Sequence, residues 1–131
     1  MAEDADIASA AIDAARIAAV SAAVGPLRLR ELIVILVGRV ETLVAAAEMF
    51  PEGAKESLPA LHKSWGSAAS LGFPALADGL ARMETDLRRA LVQAQTAERD
   101  LASEWDIVRQ SARALPGLCK DAVQSKEALR L

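Results

Sequence analysis

The sequence predicts an all-α fold: an up-and-down four-helix bundle with an additional Ala-rich N-terminal helix and a short C-terminal helix. Three observations carry this. Of 131 residues, 53% are hydrophobic but only 3% aromatic, with no Tyr. Alanine is the commonest residue, and it loses no side-chain entropy in a helix; sheets favour the β-branched and aromatic side chains that are scarce here. Finally, apolar positions recur at helical spacing between breaks marked by Pro and Gly. At this length one domain is expected over 1–131, with the bundle core at about 27–115.

Taken in order, a first helix is expected from about Asp4 to Val24, ended by Gly25-Pro26. A second runs from Leu27 to about Met49, with Leu29, Leu32, Ile33, Leu36, Val40, Leu43, Val44 and Ala47 in one wide stripe. Its centre, Leu32 to Val37, would pass for a buried strand, but its length and charged flanks favour helix. Ile35 and Val37 widen the stripe, so this helix is either buried on most sides or offers a face to a partner. After Pro51-Glu52-Gly53, Ser57 is the expected N-cap of a third helix reaching about Leu71, with Pro59 in its first turn. Pro74 suits the first position of a fourth helix, whose stripe is Leu76, Leu80, Met83, Leu87 and Leu91. A polar patch from Gln95 to Arg99 leads to a fifth, with Leu101, Trp105, Val108, Ala112 and Leu115, stopped by Pro116-Gly117. A short helix fills the remainder to Leu131.

Composition narrows function. Fifteen basic against eighteen acidic residues, net charge −3 and a pI near 5.2 oppose nucleic-acid binding, which needs a basic footprint. One Cys, Cys119, closes no intramolecular disulfide, which fits a reducing compartment; one His and one Cys make a structural zinc site unexpected. The acidic start (Glu3, Asp4, Asp6) is unlike a secretory signal, and no apolar run approaches the roughly 20 residues that span a bilayer. A cytoplasmic protein without membrane insertion is expected.

The chemistry centres on the single histidine. On a helical wheel, Leu58, Leu61, Trp65, Ala68, Ala69 and Gly72 gather on one face, the expected core. His62 falls at its boundary, while Lys63 and Ser67 point to solvent. Gly66, one turn beyond His62, leaves that flank of the imidazole open. If the third and fourth helices form a hairpin centred near Phe73, His62 and Glu84 lie level, each eleven residues from the turn or roughly 16 Å along its helix. A carboxylate there would accept Nδ1–H, fix the tautomer and leave Nε2 outward as a nucleophile.

The string His62-Lys63-Ser64-Trp65-Gly66-Ser67-Ala68-Ala69-Ser70-Leu71-Gly72 resembles the phosphorylation motif of histidine-containing phosphotransfer (HPt) domains of two-component phosphorelays. That pattern reads roughly His-x-x-Lys-Gly-Ser-x-Ala-x-Leu-Gly. The resemblance extends in helix order from about Leu27 to Ala114, but its specific part is these eleven residues. It implies a four-helix bundle with a phospho-accepting histidine on the third long helix, at His62. Gly66 matches the glycine that makes room, Ser67 the small residue after it, and Glu84 the carboxylate or amide found twenty-two positions on. The implied protein carries phosphoryl groups between aspartates of response-regulator receiver domains, loaded by way of a hybrid sensor kinase, as a monomer or weak dimer. It would have no cofactor of its own, Mg being supplied by the receiver, and no kinase or ATP-binding domain. One position departs: the family's Lys before the glycine is Trp65, so Lys63, directly after His62, is expected to supply the cation instead, helped by Arg88 one turn past Glu84. The competing reading is a helical adaptor, or a dimeric bundle with a silent His62, that binds receivers without accepting phosphate.

Overall fold

The computed structural model describes residues 12–96 and 101–128, and all six of the elements it contains are helices. They are α1 (Ala14–Val24), α2 (Pro26–Ala47), α3 (Ala54–Leu71), α4 (Pro74–Thr96), α5 (Ala102–Arg113) and α6 (Leu115–Ala128). No helix among the described residues is long and apolar enough to cross a membrane.

α1 begins later than the sequence reading placed it. Asp13 is extended and its carboxylate accepts the Arg16 N–H at 3.0 Å, capping a helix that starts at Ala14; the expected stretch before Ile12 lies outside the described residues. Gly25, at φ 89°, ends α1, and Pro26 opens α2. On α2, Leu29, Ile33, Leu36, Val40, Leu43 and Ala47 are buried in alternating steps of four and three, the stripe of a helix with one face in a core. Val34 and Ile35 are exposed, and Val37 is half-buried. The wide apolar run thus divides between core and surface.

α3 starts at Ala54 rather than after Ser57. Gly53, at φ 73°, forms the boundary, and the Ser57 hydroxyl donates to the Gly53 carbonyl at 2.9 Å from inside the first turn. At the far end Gly72 adopts φ 99° and its N–H turns back to the α3 carbonyls, a left-handed cap that glycine takes without Cβ strain. Phe73, fully buried, follows at once and α4 begins at Pro74. Leu76, Leu80, Met83, Leu87 and Ala90 carry the inner face of α4. The connection over residues 97–100 is outside the described residues. α5 ends at Arg113, capped by Ala114, and Pro116-Gly117, read as a stop, instead sits in the first turn of α6, where Pro's missing N–H costs nothing.

α2 packs on α3, α3 on α4, α4 on α5 and α5 back on α2, the α3–α4 seam being the most extensive. α6 lies against α2 and α4, and α1 against α2 and α3. Side chains tie the ring where loops do not: Arg113 grips Glu48 through two hydrogen bonds of 2.8 and 2.9 Å, and the Arg109 guanidinium donates to the Phe50 carbonyl at 3.0 Å. The Arg113 hydrogen bond holds the Glu48 carboxyl below its usual value. Cys119 is buried, and desolvation pushes its thiol up to about 11, keeping it protonated and unreactive near neutrality.

Two glycines of α3 and its cap differ in kind. A Cβ on Gly72 would stand 2.8 Å from Ile17 Cγ1 and 3.0 Å from the Asp13 carbonyl oxygen, whereas one on Gly66 meets nothing within 4 Å. Gly72→Ala should therefore cost at least about 1 kcal/mol from the left-handed backbone alone, whereas Gly66→Ala should add up to about 1 kcal/mol of helix propensity. Thermal unfolding followed by circular dichroism reads both. Ser64 is fully buried and its hydroxyl has no hydrogen-bond partner among the described residues. Ser64→Ala should raise stability by on the order of 1 kcal/mol in the same assay, because it removes an unpaired buried dipole.

Candidate functional site

His62 projects from the middle of α3 beside α4, its side chain 60% exposed. The inner face of α3 at this level is Leu61, Ser64, Ala68 and Leu71, which turns His62 to the seam. Its Nδ1 lies 3.1 Å from Glu84 Oε1 and 3.4 Å from Oε2. An ionised carboxylate only accepts hydrogen bonds, so Nδ1 carries the ring proton and, in the neutral ring, Nε2 keeps its lone pair. Glu84 is only 15% exposed. Its Oε2 accepts Arg88 Nε at 3.0 Å, one helical turn along α4. One carboxylate therefore holds both the imidazole and a guanidinium, with Oε1 nearest to Nδ1 and Oε2 shared between Nδ1 and Arg88 Nε.

The expected pairing of His62 with Glu84 is thus present as a contact, and Arg88 joins it. Trp65 is not where the wheel placed it. It is 37% exposed rather than in the core, and its ring centroid lies 5.2 Å from that of His62 at an interplanar angle of 50°. The reason is volume: small side chains, Ser64 and Ala68, face the crowded centre, and a Trp phased with Leu61 on hydrophobicity alone is turned out to the seam. Ala69, also expected inside, is exposed. His62, Trp65, Ala81, Glu84, Thr85 and Arg88 bound an open cavity of about 230 Å³. The Thr85 hydroxyl is spent on the Ala81 carbonyl of its own helix, 3.0 Å away.

Lys63, Gly66 and Ser67 do not line that cavity. They border a second groove, of about 480 Å³, between α2 and α3. Its apolar lining includes Leu32, Ile35 and Leu36, and Arg28, Arg39 and Lys63 also border it, Arg28 being ion-paired with Glu31 at 2.9 Å. The sequence reading missed this groove, although Arg28, Leu32, Ile35 and Arg39 recur at steps of four, three and four along α2. Along α2 alone they read as stripe and flank, and only the tertiary structure brings them against α3.

Among the described residues no group of three or more His, Cys, Asp or Glu is placed to hold a metal ion. The arrangement is that of a single oriented imidazole, open to solvent, with a cation one carboxylate away. Comparison with protein-family models, with curated proteins and with solved structures found no match to this chain.

Proposed function

We propose that this chain is a histidine phosphotransfer protein of a multistep phosphorelay, with His62 as its phosphoryl-accepting residue. On this reading α2 to α5 are the up-and-down four-helix bundle of an HPt-like domain, α1 and α6 being additions to it. The observation that carries the reading is the exposed His62 ring with Nδ1 held by the nearly buried Glu84 carboxylate. The eleven-residue resemblance around His62 adds to it.

The chemistry follows from the proton's position. The Nε2 lone pair attacks the phosphorus of a receiver's aspartyl phosphate, roughly in line with the P–O bond. An N–P bond forms and the P–O bond breaks, its electron pair leaving with the aspartate carboxylate. The proton stays on Nδ1, so the ring becomes a phosphorylated imidazolium whose positive charge faces Glu84. Reversal of these steps delivers the phosphoryl group to a second receiver. A divalent cation, if required, would be supplied by the receiver, where it would draw charge from the phosphoryl oxygens. The α2–α3 groove, with Lys63 on its rim, and the His62 seam together offer the docking face to receivers and to a hybrid sensor kinase.

One observation favours a second reading, an adaptor that binds receivers without accepting phosphate: Trp65 packs against the imidazole at the position where the resembled motif has a lysine. Radiolabelled phospho-receiver decides between them. Wild type should take up acid-labile, base-stable label, and His62→Gln none; receiver binding without label on wild type would favour the adaptor. Glu84→Ala should slow transfer by on the order of tenfold or more, about 1.4 kcal/mol of barrier. Glu84→Gln, whose amide oxygen still accepts from Nδ1, should lose less.

A further inference from the structure

The α2–α3 groove carries cations that the described residues leave unmatched. Arg28 is ion-paired with Glu31 at 2.9 Å, but Arg39 and Lys63 make no hydrogen bond or ion pair among the described residues. Arg39 is half-buried, and a charge interaction there is stronger than at an open surface because less water screens it. Beside the cations the lining is apolar: Leu32 is half-buried and Ile35 stays 43% exposed. An occupant that matches this groove is acidic and carries at least one apolar side chain.

The chain holds such a segment close by. Residues 1–11, which lie outside the described residues, read Met-Ala-Glu-Asp-Ala-Asp-Ile-Ala-Ser-Ala-Ala, with three acids, no base, and Ile7 directly after the last acid. The described chain picks up at the end of the groove itself. The Asp13 N–H donates to the Gly72 carbonyl at 2.8 Å and Arg16 Nε to that of Ser70 at 2.9 Å, and Ser70 and Leu71 line the groove. From Gly72 back to Lys63 is roughly 13.5 Å along α3. Asp6, seven residues before Asp13, can stand as far as about 25 Å from it. The acids therefore reach the cations with chain to spare.

We infer that residues 1–11 dock in the α2–α3 groove of their own chain, with Glu3, Asp4 and Asp6 against Arg39 and Lys63 and with Ile7 on the Leu32–Ile35 lining. A segment joined to the same chain competes at an effective concentration on the order of mM, so modest charge contacts suffice to hold it. It shields the groove and leaves the imidazole open, because His62 and Glu84 border a different cavity. A protein that docks across α2 and α3 must displace it first. The docking stands without the phosphotransfer reading; under that reading it makes the N-terminal segment a competitor of the receiver.

The experiment places a nitroxide at position 2 of the full chain through Ala2→Cys, the buried Cys119 thiol being spared, and reads amide broadening by ¹⁵N NMR. The Arg39, Lys63 and Ser67 amides should lose their signals while Gln110 and Ser111, on α5, keep theirs; equal broadening at both places would overturn the proposal. The effect should weaken in about 1 M salt, where the screening length falls to about 3 Å. Glu3→Lys, Asp4→Lys and Asp6→Lys together should abolish it, and they leave every side chain of the bundle in place. Broadening that survives this reversal would overturn the proposal. Adding Arg39→Glu and Lys63→Glu should bring the broadening back; its absence in a combined variant with unchanged circular dichroism would count against the docking equally. In a mixture of nitroxide-bearing unlabelled chain with ¹⁵N chain free of nitroxide, the groove amides should keep their signals. Their loss there would show that another copy supplies the segment and would overturn docking within one chain.

Discussion

The left-handed turn at Gly72 sets the register on which the site depends. Gly72 and Phe73 are the whole connection between α3 and α4, so the helices cannot slide independently. Phe73 is fully buried, which contributes roughly 1.5–3 kcal/mol and pins the turn to the core. The Asp13 N–H donates to the Gly72 carbonyl at 2.8 Å and the Arg16 guanidinium to that of Ser70 at 2.9 Å, so α1 clamps the same corner. Eleven residues away on each side, His62 and Glu84 meet. A slip of one residue would shift the carboxylate by about 1.5 Å and rotate it by about 100°, enough to separate the pair.

Burial then decides which side chains that register exposes. The interior at the α3–α4 seam is filled from α4 by Leu80, Met83 and Leu87, and from α3 by the smaller Ser64 and Ala68 around Leu61. Large residues on one helix against small ones on the other let the axes approach. The closeness brings an exposed imidazole within 3.1 Å of a carboxylate on the neighbouring helix. The unpaired Ser64 hydroxyl is a cost of the same arrangement. Trp65, too large for the centre, goes to the rim and covers one flank of the histidine.

The ridge of α3 divides its polar surroundings in two. On the α4 side stands one histidine with one carboxylate and one arginine; on the α2 side stand Lys63, Arg28 and Arg39 over apolar side chains. On the proposed reading the first holds the transferable group and the second receives part of the protein that delivers it. The cations on both sides are partly balanced, Arg88 by Glu84 at 3.0 Å and Arg28 by Glu31 at 2.9 Å.

The sequence by itself determined the helical class, the breaks at Gly25-Pro26, Pro51–Gly53 and Gly72–Pro74, and the level placement of His62 and Glu84. Periodicity and a two-residue turn are local properties, and register across a tight turn follows from counting. It misjudged helix starts at Ala14 and Ala54, because caps depend on single backbone conformations at Asp13 and Gly53 that composition does not specify. It also read Pro116 as a stop where the chain bends and begins a new helix. Which face of α3 is inside was left to the tertiary structure, because hydrophobicity ranks Trp65 above Ser64 while packing volume ranks them the other way. The partition of cations between the two grooves was decided there too. Lys63 is adjacent to His62 in sequence but about 100° around the helix, and only the neighbouring helices give that angle a meaning.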